Sequence, residues 1–101
     1  METLLEEATI KYGDWEETGP IQIVDGVLVQ FSEEDLGYNH LSQDLSFYGL
    51  FPPKEGMFFI KNYSGLEGVA EQLEQMGLVT IVGRAEFGPF DANAFLVELN
   101  R

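Results

Sequence analysis

The 101-residue sequence has no cysteine, one histidine, and only five lysines and arginines against 18 aspartates and glutamates. Without cysteine there is no disulfide, no thiol nucleophile and no Cys-ligated zinc or iron–sulfur centre. The shortage of bases, at a formal charge of −13, argues against direct nucleic-acid binding and against docking on an anionic membrane, since both need clustered Lys and Arg. Apolar runs reach only about five residues, where a bilayer span needs ~20. Met1 to Glu7 (METLLEE) lacks the basic start and apolar stretch of a secretory leader and the arginines of a transit peptide. A cytoplasmic location is therefore expected, and the absence of cysteine fits a reducing compartment.

What is present suffices for a core. Hydrophobic residues make up 45% and aromatics 13%, and a chain of this length buries roughly 65% of its unfolded surface on folding. A single domain over 1–101 is expected. Gly19-Pro20, Gly49 to Pro53 and Gly88-Pro89 read as breaks between periodic segments. Charge is uneven: residues 1–50 hold 11 acids and one base, residues 51–101 seven acids and four bases.

Ser64 with Glu67 reads as a capping box. Leu66, Val69, Ala70, Leu73 and Met76 then recur at helical spacing, and Gly77 ends the pattern, which predicts a helix over 64–76. Strands are predicted at Ala8–Tyr12, Met57–Ile60, Leu78–Phe87 and Phe95–Leu99. Ile10 and Tyr12 should face inward, Val79, Ile81, Gly83, Ala85 and Phe87 should share one side, and Gly83 marks a bulge or a close backbone contact. A hairpin is expected at Asp25-Gly26. Its three-residue turn would pair Ile23 with Val27 and Ile21 with Val29, collecting the apolar residues on one face. Ser32 to Asp35 resembles a helix start, and Tyr38, Leu41, Leu45 and Tyr48 continue a helical stripe up to Gly49. The sum is an α+β domain: a single mixed sheet of about six strands with two helices mainly on one face, in the order β-β-β-α-β-α-β-β.

His40 supplies one nitrogen where a metal site needs three or four ligands, so no metal and no cofactor are assigned. Adjacent carboxylates such as Glu16-Glu17 and Glu33-Glu34-Asp35 mostly point apart and suit solvated surfaces better than acid–base catalysis. Glycine-rich phosphate loops and a nucleophile elbow are absent. Glu67, Glu71 and Glu74, if on one helix, would span ~10.5 Å, a charge every ~3.5 Å against ~3.4 Å along one DNA strand. That spacing admits nucleic-acid mimicry, but any acidic amphipathic helix would share it. Seven of the 13 aromatics fall between Tyr38 and Tyr63, as core, pocket or interface.

Binding rather than catalysis follows by elimination. The first reading is a small acidic protein that regulates or inhibits a basic protein partner. By charge alone it is of the physical type of immunity proteins, antitoxins and restriction inhibitors. Its contacts would be Trp15, Glu16, Glu17, Glu33, Glu34, Asp35, Tyr38 and Asp44, with charge speeding encounter and aromatics setting residence time. A second reading is a small-molecule-binding or enzymatic domain with a pocket between residues 36–51 and the sheet, using His40, Tyr48, Arg84 and Glu86. A third is a homodimeric structural subunit.

Overall fold

The computed structural model describes every residue except Glu33, Asp35, Ser64 and Arg101. Strand β1 (Glu2–Tyr12) pairs antiparallel with β2 (Trp15–Val24), and β3 (Val27–Ser32) and β4 (Gly37–His40) extend the sheet in the order β1-β2-β3-β4. A second antiparallel sheet holds β5 (Met57–Lys61), β6 (Val79–Phe87) and β7 (Ala92–Leu99) in the order β5-β7-β6. Among the described residues one α-helix, α1 (Val69–Gln75), lies between β5 and β6, and a single 3-10 turn covers Ser46–Tyr48. The expected single sheet with two helices is therefore wrong. Each sheet supplies the apolar cover for the other, a role that two helices had been expected to fill.

The main core is shared. Ile10 and Ile21 of the first sheet, Val69 and Leu73 of α1, and Ile60, Val79 and Val97 of the second sheet are fully or almost fully buried in one cluster. Ile10 and Tyr12 face inward as expected, while Thr9 and Lys11 are exposed. A second cluster, Leu45, Phe59, Phe87 and Ala94, lies on the opposite face of the second sheet under Leu50. Phe58 and Phe59 thus enter different cores, and the 45–50 segment covers the second.

Three local expectations fail for identifiable reasons. The Asp25-Gly26 turn has two residues, not three: Val24 pairs with Val27, Gln22 with Val29 and Ile21 with Gln30. Both turn residues have positive φ, 51° and 79°, the conformation whose twist matches the flanking strands. The register mixes polar and apolar residues on one face because Gln30, although fully buried, is hydrogen-bonded there. The segment predicted as a helix up to Gly49 instead forms β4 and an irregular stretch, with only the 3-10 turn at Ser46–Tyr48. Leu41 and Ser42 both donate their backbone N–H to the Leu28 carbonyl, and Ser42 Oγ accepts from Leu28 N at 2.9 Å, a side-chain competition typical of serine. Helix α1 starts at Val69, since Gly65 and Gly68 stand at φ 90° and 81°, outside the right-handed helical region. The Ser64 half of the expected capping box lies outside the described residues. Gly77 follows the helix at φ 79° as expected.

In β6 the register shifts between Ile81 and Gly83. The expected bulge is there, and it changes the faces. Val79 and Ile81 pack into the main core while Ala85 and Phe87 pack into the second, so these residues do not share one side. Gly19-Pro20 is no break but lies within β2. Among the described residues no helix is long and apolar enough to cross a membrane.

Candidate functional site

The β1–β2 hairpin ends at Tyr12 and Trp15, which pair across a Gly13-Asp14 turn. Their rings stack, with centroids 4.8 Å apart and planes at 23°. The Tyr12 hydroxyl donates to Gln30 Oε1 at 2.7 Å, and Gln30 Nε2 donates to the carbonyls of Ala8 at 2.9 Å and Glu17 at 3.1 Å. This buried network ties three strands together and fixes the base of the hairpin tip. Burial first, and the neighbouring Glu17 charge second, push the Tyr12 phenol well above its ordinary range, with the Asn39 amide pulling the other way. Trp15 remains 52% exposed, an indole held on a rigid base.

On the same hairpin end Glu16, Glu17, Thr18 and Glu34 line one open depression of about 340 Å³, with Glu17 largely buried at its base, while Trp15 lines a separate cleft with His40 and Lys61. The β3–β4 turn brings Glu34 there. Two residues after that turn begins its strand, Tyr38 stands 44% exposed against Phe31, ring centroids 5.3 Å apart. Among the described residues two ion pairs occur, on the second sheet and its loop, Lys54–Glu98 at 2.6 Å and Arg84–Glu86 at 4.0 Å. Neither involves Glu16, Glu17 or Glu34. This end therefore presents an exposed indole and, in a separate depression, carboxylates whose field favours a cation.

The expected contact set divides. Trp15, Glu16, Glu17, Glu34 and Tyr38 belong to this end of the first sheet. Glu33 and Asp35 lie outside the described residues. Asp44 is elsewhere: its Oδ1 accepts from Ser46 N at 2.9 Å and holds the 3-10 turn. Hydrogen bonds from Ser46, the backbone N–H foremost, lower the Asp44 pKa below the usual carboxylate range.

The alternative pocket set is scattered. His40 lines a cleft of about 270 Å³ with Tyr12, Trp15, Asn39, Lys61 and Leu66, without Tyr48, Arg84 or Glu86. Tyr48 packs on Phe87 at 5.0 Å, and Arg84 pairs with Glu86 on exposed β6. The three expected helical carboxylates also part: Glu67 precedes α1 and accepts from Gly65 N, while Glu74 accepts from Ile81 N at 2.8 Å. Their regular charge spacing is not formed.

Sequence reasoning missed a large concavity. About 510 Å³ opens between the Asp25-Gly26 turn and the start of β5, lined by Glu2, Ile23, Pro52, Lys54, Glu55, Met57, Phe58 and Leu99. It shares Gly26, Pro52, Met57 and Phe58 with an adjoining cleft of about 290 Å³ that runs to Asp44 and Leu50. The Pro-Pro sequence beside Met57-Phe58 was its only trace. Comparison with protein-family models, curated proteins and solved structures finds no match to this chain.

Proposed function

We propose that this protein is a small acidic binding protein that captures a basic protein partner and so regulates or inhibits it. The observation that carries this reading is the depression lined by Glu16, Glu17 and Glu34 on the same hairpin end that exposes Trp15, the residue next in sequence to Glu16. Carboxylates at the rim accelerate encounter with a cationic surface, and an aromatic residue on a fixed base is the usual anchor once contact is made. The overall charge of −13 supports the same sign of partner, and the cysteine-free sequence supports action in a reducing cytoplasm.

The test is capture of partners from the source cell at ~50 and ~200 mM salt, with identification by mass spectrometry. A basic protein should be retained at low salt and fall away steeply at high salt. The variant Glu16→Gln/Glu17→Gln/Glu34→Gln should weaken capture about tenfold, as expected on removing two exposed carboxylates and the buried Glu17 charge beneath them. A distal variant with the same charge change, Glu6→Gln/Glu71→Gln/Asp91→Asn, should not. Equal loss in both variants would reduce the effect to net charge, and salt-independent capture would count against the proposal.

A further inference from the structure

We infer that the groove between the Asp25-Gly26 turn and β5 binds an extended peptide segment carrying alternating apolar and basic side chains. The argument begins with the β5 edge. Leu99 N donates to the Gly56 carbonyl and Asn62 N to the Asn93 carbonyl. Bonds in an antiparallel ladder alternate, so Met57, Phe59 and Lys61 turn their backbone groups away from β7. Gln43 occupies the position at Phe59, donating its N–H to the Phe59 carbonyl at 2.8 Å. Met57 is left facing the groove with its backbone N–H and C=O directed outward, an edge able to accept one more strand.

The groove is shaped and charged for one kind of occupant. Ile23, Phe58 and Leu99 give it an apolar floor, within the volume range of ligand sites. Glu55 stands exposed on its lining and Asp25 on that of the adjoining cleft, beside the shared Gly26, while the Lys54 ammonium is already paired with Glu98 at 2.6 Å. An extended strand sends successive side chains to opposite sides. Apolar residues would enter the floor and the intervening bases would meet the Asp25 and Glu55 carboxylates. The groove lies at the far end of β2 from Trp15, so it is a second site that stands or falls independently of the acidic hairpin end.

The probe is an N-terminally labelled peptide of four Lys-Val repeats, titrated into the whole chain. Anisotropy should show saturable binding, and amide resonances should shift at Gly26, Gln43 and Met57. The variant Asp25→Asn/Glu55→Gln should weaken binding about fivefold; asparagine suits the positive φ of residue 25, so the turn is kept. A Lys-(N-methyl-Val) peptide, unable to donate backbone hydrogen bonds from its valines, should also bind more weakly. The inference is overturned by no saturation at millimolar peptide, by equal binding of a Glu-Val peptide, or by unweakened binding of the methylated one. Shifts confined to residues 14–17 would overturn it too, as would a concentration-dependent dimer that itself produces the groove shifts. None of these outcomes bears on Glu16, Glu17 or Glu34.

Discussion

The Gln72 side chain acts as a surrogate strand for Lys11. Its Oε1 accepts from Lys11 N at 2.8 Å and its Nε2 donates to the Lys11 carbonyl at 2.9 Å. Lys11 lies on the outer edge of β1, and α1 packs against both β1 and β6. On the other side of the helix, Glu74 accepts from Ile81 N of β6. A helix of seven residues thus closes the gap between two sheet edges that would otherwise be open to pairing.

Replacing Gln72 with Ala should cost about 1 kcal/mol, because both bonds are solvent-accessible and water recovers part of each. Gln72→Glu should cost more, since a carboxylate cannot donate to the Lys11 carbonyl. Urea unfolding with an unchanged m-value checks both.

Gly19 and Gly83 should respond oppositely to alanine. A Cβ at Gly19 would collide with the backbone carbonyl oxygen of Phe31 on β3, which cannot move without breaking the sheet. Gly19→Ala should destabilise by about 2 kcal/mol or more. At Gly83 the new methyl would rest 3.7 Å from Leu96 Cβ, an ordinary contact, and the change should stay within ~0.5 kcal/mol of neutral. Thermal and urea unfolding of the two variants measure the contrast.

Stability should decline at alkaline pH through Tyr12. Its phenol is neutral in the fold, and burial followed by the Glu17 charge raises its pKa above the unfolded value of 10.0. The contribution is therefore complete below pH 10 and is lost as pH rises from there toward the folded value. Absorbance near 295 nm should show one of the four tyrosines ionising late, together with unfolding. Tyr12→Phe should abolish that late step and cost ~1–3 kcal/mol at neutral pH, because Gln30 Oε1 loses its donor in a buried site.

Several local features can be read from the sequence pattern, but the division into two sheets and the single helix cannot, and the failures have a common origin. The stripe through Leu66, Val69, Ala70, Leu73 and Met76, the bulge at Gly83 and the inward pair Ile10 and Tyr12 depend on neighbours close in sequence. The hairpin register depended instead on Gln30, whose polar side chain is satisfied by Tyr12 and by the Ala8 and Glu17 carbonyls, contacts 13 to 22 residues away. The segment after β3 looked helical because Leu41 and Leu45 keep helical spacing. They do become buried, but in separate clusters on either side of a chain that runs extended and then turns. At the hairpin end, Trp15, Glu16 and Glu17 were visible as neighbours in sequence. The approach of Glu34 to them was carried only by strand pairing, and the peptide groove, assembled from three distant segments, had no local signature beyond Pro52-Pro53.

The most direct test of the acidic hairpin end uses Trp15 itself, the only tryptophan of the chain. Its fluorescence and acrylamide quenching are followed as the purified basic partner is added, with Trp15→Phe as the reference for signal from the partner. Burial of the half-exposed indole should shift its emission to the blue and sharply reduce quenching, with the titration midpoint moving to higher partner concentration as salt is raised. A complex that forms while Trp15 stays as quenchable as in the free protein would contradict capture through this end.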